Sequence, residues 1–204
     1  MILSVVLRLR GGGYPKHIVD DAARLNDDHA TVKSAFDGLY NDILGYWFPL
    51  VDGYVVHPHW VIPDSDATND RYISFVIKRP PLREPPLLLL EVKPPSHFHV
   101  DQKREAAITQ MTKRLDVIGP TFPHPRLYAI SAIGKKWRVS YVARGKGSKG
   151  GQPVKGIAAV NSLRSTDPDC WNPDITSDSS WEALRSIVET IKGYTTWQAS
   201  NEST

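Results

Sequence analysis

Leu87-Leu88-Leu89-Leu90-Glu91-Val92-Lys93-Pro94-Pro95 is the stretch on which the reading of this chain turns. Four leucines followed by Val92 describe a strand that is apolar on both faces, which places it centrally in a sheet covered on both sides. The run is too short for a typical core helix, and two prolines end it abruptly. Glu91 and Lys93 are two residues apart, so in a strand they share a face. A carboxylate and an ammonium at the end of an apolar strand are costly to bury without partners. Chemistry is one reason to place them there: the carboxylate can hold a metal ion, and the lysine can steady a nucleophile or a phosphate. The competing reading is a solvated surface ion pair, an ordinary feature worth little energetically.

Working back from that strand, Tyr72 to Lys78 has strand character, and the proline-rich segment from Arg79 to Pro86 links the two as an antiparallel hairpin with a long loop. With Lys78 opposite Leu87, Ser74 faces Glu91 and Tyr72 faces Lys93. One further pair brings Asp70 to the same face, and a slip of one residue would turn it away. Asp64 and Asp66 are weaker candidates in the turn-forming segment before it. Tyr54 to Ile62 reads as another strand. His57 and His59 alternate along it, but no thiol or third histidine stands at zinc-ligand spacing, so packing or surface roles are expected.

Ala30 to Trp47 reads as an amphipathic helix, with Val32, Ala35, Phe36, Leu39, Ile43 and Leu44 on its apolar stripe. Asp37 and Asp42 fall off the stripe and are assigned to a solvated face. Tyr14 to Asp28 is polar and reads as a loop or short helix. Beyond the leucine strand, Val100 to Ile118 forms a helix that buries Ala107, Ile108, Met111, Leu115 and Ile118. Its Lys103, Arg104, Lys113 and Arg114 supply positive charge, and Gln110 borders the stripe as a neutral donor. Gly119-Pro120 stops it. Leu127 to Ile133 and Trp137 to Val142 are strands joined by the compact turn Gly134-Lys135-Lys136. A Gly/Lys-rich loop follows from Arg144 to Gly156. Ser180 is expected to cap a last helix with Trp181, Leu184, Ile187, Val188 and Ile191 inside, ending at Gly193. Residues 195–204 are expected to fray.

The chain has 204 residues, Lys+Arg 25 against Asp+Glu 22 and a formal charge of +3. That fits one domain with an ordinary core, mildly basic, which permits nucleic-acid binding without requiring it. A single cysteine, Cys170, excludes an internal disulfide framework and fits a reducing compartment. No apolar run is long enough for a membrane span. The first apolar segment is short and followed by arginines, unlike a signal peptide. A cytoplasmic or nuclear location is expected, with delivery into a host cell left open.

Leu7-Arg8-Leu9-Arg10-Gly11-Gly12 resembles the C-terminal tail of ubiquitin residue for residue, and Leu3 and Val6 fit its last strand. The resemblance covers residues 1–12 and implies a ubiquitin fusion cut after Gly12 by a deubiquitinating protease. The alternative is an edge strand with a flexible glycine linker.

The order of helix, hairpin with Asp70 and Glu91-x-Lys93, helix and strand pair resembles the restriction-endonuclease-like fold, the PD-(D/E)XK superfamily. More narrowly, residues 13–194 look like a fungal type of this domain, similar to nuclease-like domains at the ends of crinkler-type effectors. Val61-Ile62-Pro63, Leu89 to Pro95, Arg104 to Arg114 and Leu127 to Gly134 carry the likeness. It implies an α/β fold with a central mixed sheet flanked by helices. It also implies a metal-dependent nuclease acting on DNA with little sequence specificity. Asp70, Glu91 and the Val92 carbonyl would hold Mg²⁺ or Mn²⁺, with Asp70, Glu91, Lys93 and Gln110 as the catalytic set. Lys103, Arg104, Lys113 and Arg114 would follow the nucleic-acid backbone. In one respect the chain departs from the pattern: Arg71 separates Asp70 from its strand. That departure supports the alternative of an inactive module on the same fold, binding nucleic acid or a protein partner.

Overall fold

The computed structural model describes residues 13–25, 32–62, 72–80, 85–143, 152–153 and 168–201. The ubiquitin-like tail with Gly12, the segment holding Asp64, Asp66, Asp70 and Arg71, and most of the Gly/Lys-rich loop lie outside them.

Among the described residues, six strands form one sheet in the order β1-β2-β3-β4-β5-β6. They are β1 Val55–Val61, β2 Tyr72–Lys78, β3 Leu88–Lys93, β4 Arg126–Ile133, β5 Lys136–Ala143 and β6 Gln152–Pro153. The β3–β4 pair is parallel and the others are antiparallel, so the sheet is mixed, as the sequence led us to expect. The parallel pair requires a crossover, and the helix α3 (Asp101–Ile118) supplies it. Helices α1 (Lys16–Arg24), α2 (Lys33–Trp47) and α4 (Asp178–Asn201) complete the fold. The fold class is therefore α/β, with helices on both faces of the sheet.

The leucine run divides by its period of two. Leu88, Leu90 and Val92 join a core with Phe36 and Ile43 of α2 and Trp181 and Leu184 of α4. Leu89 joins a second core with Met111, Leu115 and Ile118 of α3. Both faces of β3 are covered, which is why its sequence is apolar without alternation. Every residue of the strand is buried except Lys93, which is partly exposed. The β1 strand carries Pro58 and lies at the sheet edge, where a missing N–H is tolerated.

Gly134 and Gly119 each hold a position that geometry reserves for glycine. Gly134 has φ 60 in the tight β4–β5 turn, a left-handed value that favours glycine. At Gly119 a Cβ would lie 2.8 Å from a Val142 methyl, so only glycine lets the end of α3 approach β5 this closely.

Three expectations are corrected. Val32 and Ala35 are exposed, and the buried stripe of α2 runs instead through Phe36, Leu39, Tyr40, Ile43, Leu44 and Trp47. The cap of α4 is Ser177, whose Oγ accepts the Ser180 N–H at 3.3 Å. Ser180 lies inside the first turn, where its hydroxyl accepts from the Trp137 indole at 2.8 Å and donates to the Asp174 carbonyl at 2.6 Å. Gly193 does not end α4, which continues to Asn201. An exposed helical glycine costs only about 1 kcal/mol, too little to stop a helix anchored by packing. None of the helices among the described residues is long and apolar enough to cross a membrane.

Candidate functional site

Phe75, Val76 and Ile77 pair with Leu90, Leu89 and Leu88. Continued along the strands, this register sets Ser74 opposite Glu91 and Tyr72 opposite Lys93, the alignment anticipated from sequence. The Ser74 N–H donates to Glu91 Oε2 at 3.1 Å, and the Val92 N–H donates to Ser74 Oγ at 3.0 Å. Ser74 thus clips the end of β2 to β3 and orients the carboxylate.

Glu91 is buried, with 6 % of its surface exposed. Its Oε1 lies 3.0 Å from the Lys93 ammonium, and its Oε2 lies 2.5 Å from a guanidinium nitrogen of Arg114. The second terminal nitrogen of Arg114 donates to the Tyr72 carbonyl. Burial pushes the Glu91 carboxyl up, but the Arg114 and Lys93 charges outweigh it and hold the group below the ordinary glutamate range. Glu91 is therefore an ionised carboxylate held from three elements: β2, β3 and α3. Lys93 keeps a quarter of its side chain exposed, and of this trio it is the group that faces solvent.

Four charges on α3 were expected to follow a phosphate backbone, and they divide. Lys103 and Lys113 are exposed, as that role requires. Arg104 and Arg114 are buried at 4 % and 3 % exposure, which corrects the expectation for both. Arg104 donates to the Phe98 carbonyl and to Asp101 and stacks over the Phe98 ring, so it stabilises the start of its own helix. Arg114 is committed to Glu91 and Tyr72. In each case the fixed guanidinium fork satisfies two acceptors at once, which permits burial of the charge. Gln110 is half-buried one helical turn before Arg114. From α3, then, Arg114 provides the direct contact to Glu91.

Sequence reasoning missed Asp37. It lies on α2, yet its carboxyl senses the charge of Glu91. Burial pushes the Asp37 carboxyl up, Lys33 and His59 pull it back, and Glu91 adds to the rise. Its Oδ1 is enclosed and meets no hydrogen-bond donor among the described residues. The helical stripe placed Asp37 correctly off the core, but periodicity carries no information about what encloses its carboxyl. His59 belongs to the same neighbourhood. It lies opposite Ser74 when the β1–β2 register is continued, and it adopts φ 50, a left-handed value uncommon outside glycine. Near Lys93, burial and the charges of Lys103 and Lys93 hold the His97 imidazole below its usual pKa.

Among the described residues, no group of three or more His, Cys, Asp or Glu side chains is arranged to hold a metal ion. Asp70 lies outside those residues. What the arrangement does provide is an ionised carboxylate, a second carboxyl within its electrostatic reach and a partly exposed ammonium.

No family model matches the chain, and no curated protein matches it. Among solved structures the chain is similar to the type IIG restriction endonuclease BpuSI, at 16 % identity and a TM-score of 0.43. The similarity covers 75 % of this chain and 16 % of that one, so the chain spans a small part of that enzyme's length.

Proposed function

We propose that the chain is a metal-dependent nuclease that hydrolyses phosphodiester bonds in DNA with little sequence specificity. The observation that carries this reading is the Glu91–Lys93 pair on one face at the end of the central strand, its carboxylate held ionised and its lysine side chain partly exposed.

A divalent cation suits the oxygen chemistry of the residues assigned to it. Oxygen ligands suit Mg²⁺ and Mn²⁺, and the enclosed Oδ1 of Asp37 meets no hydrogen-bond donor among the described residues. Asp70, Glu91 and the Val92 carbonyl would hold the ion, with Asp37 near enough to feel the Glu91 charge. When bound, the ion supplies charge neutralisation at the phosphate and acidifies a water. Lys93 orients the attacking water or offsets negative charge as it builds on the phosphate oxygens. Gln110 assists by positioning Lys93 or a phosphate oxygen. Lys103 and Lys113 contribute salt-dependent affinity for the backbone. Base-edge recognition has no visible motif, which is why little sequence preference is expected.

The test is cleavage of DNA by the full chain and by Glu91→Ala and Lys93→Ala. Loss of metal-dependent cleavage in both variants supports the reading, and unchanged cleavage in either removes that residue from the site.

A second reading is favoured by the same carboxylate. Both Glu91 oxygens already face cations, as they would in a structural ion pair, and a non-catalytic nucleic-acid-binding module would need nothing more. It predicts DNA retention that is independent of Mg²⁺, weakens steeply with salt and leaves the strands intact.

A further inference from the structure

We propose that Arg114 is a positioning residue for Glu91, rather than a contact to nucleic acid. The inference rests on the nuclease reading above and deepens it. A glutamate side chain has three rotatable torsions, so a carboxylate that must present one oxygen to a reaction has to be fixed through the other. Here Oε2 receives Arg114 at 2.5 Å and the Ser74 N–H at 3.1 Å, which leaves Oε1 turned toward Lys93 at 3.0 Å.

Arg114 does this from a distance in sequence. It stands on α3, packed on the sheet face that carries Glu91, and its second nitrogen holds the Tyr72 carbonyl at the start of β2. Tyr72 follows Asp70 by two positions in the sequence. One planar group therefore ties α3, the start of β2 and the Glu91 carboxylate into one unit. Two acceptors at fixed separation suit a guanidinium fork, whereas an ammonium offers a point charge. Burial at 3 % exposure also keeps Arg114 from a phosphate backbone.

The test compares the full chain with Arg114→Ala and Arg114→Lys, measuring kcat, KM for DNA, the salt dependence of DNA binding and rescue by added guanidinium below denaturing concentration. A partner that orients a ligand is typically worth 10–100-fold in activity. The expected result for Arg114→Ala is a kcat about 10–100-fold lower, with KM and salt slope unchanged. Guanidinium should restore part of the loss and methylammonium should not. Arg114→Lys retains a cation beside Glu91, so it carries the same test if the alanine variant does not fold, and its kcat should also stay below wild type. A raised KM with a salt slope reduced by about 1 and kcat unchanged would make Arg114 a phosphate contact and overturn the proposal. A wild-type chain that cleaves in no metal would overturn the nuclease reading and the positioning role together, an outcome distinct from the kinetic split.

Discussion

Replacing Arg114 with methionine should destabilise the protein by about 3 kcal/mol, the lower end of the 3–5 kcal/mol typical when one partner of a buried ion pair is removed. The lower end applies because Glu91 keeps Lys93 at 3.0 Å and the Ser74 N–H at 3.1 Å. It is still large because Glu91 and Arg114 are both more than nine-tenths buried, and the Tyr72 carbonyl also loses its donor. Urea unfolding at neutral pH measures it: with a slope of about 2 kcal/mol per M, the midpoint falls by roughly 1.5 M. The double variant Glu91→Gln/Arg114→Met removes both charges and should recover much of the loss, giving a coupling energy of about 1–3 kcal/mol. The pH dependence follows in sign. The folded carboxyl is held below the ordinary 4.5, so its contribution is present above that value and lost as pH falls through the folded pKa. Arg114→Met should therefore show a shallower acid limb. A midpoint within about 0.3 M of wild type would mean that Arg114 does not hold Glu91 in solution and would refute the reasoning.

Other outcomes follow from the same geometry. Lys93→Ala should lower kcat by about 100-fold or more, the scale of losing one donor to developing charge, while costing less stability than Arg114→Met because Lys93 is the more exposed of the two cations on Glu91. Asp37→Asn should raise stability at neutral pH, since a carboxyl whose folded pKa is raised destabilises the native state once ionised. The same variant should lower kcat about 10-fold; unchanged kcat would exclude Asp37 from the site. Ser177→Ala should cost about 1 kcal/mol as a lost cap, and Ser180→Ala about 1–3 kcal/mol because it leaves the buried Trp137 N–H without its acceptor, both read from urea melts. A deubiquitinating protease should release a product beginning at Gly13, and mass spectrometry reporting no cut after Gly12 would remove the fusion reading of Leu7 to Gly12.

Most of the sheet was legible because its strands are short, apolar and bounded by turn residues. The leucine run announced a strand covered on both faces, and Gly134 with Lys135 announced the β4–β5 turn. The β2–β3 register agrees with the one assumed by setting Lys78 opposite Leu87; both strands are buried on both faces, so the apolar pattern alone does not choose among registers. The site was less legible because its key partnerships are long-range. Arg114 looks like any exposed helical cation, and only the packing of α3 against β3 shows that it is buried against a carboxylate 23 positions away. Asp37 was assigned to solvent because helical periodicity separates core from surface but does not show that its Oδ1 is enclosed. Ser180 was mistaken for the cap because Ser177, Ser179 and Ser180 are all chemically able to cap, and the choice among them depends on where Trp137 draws Ser180 inward.

The central claim is that the Glu91–Lys93 end of the central strand hydrolyses phosphodiester bonds with a divalent cation. The most direct measurement incubates the full chain with supercoiled plasmid in Mg²⁺, in Mn²⁺ and in EDTA, with Lys93→Ala alongside. Nicking that requires metal and disappears in Lys93→Ala is the predicted result. Intact plasmid in every lane, with DNA retained independently of Mg²⁺, would contradict it and leave a binding module in which Glu91 serves the fold.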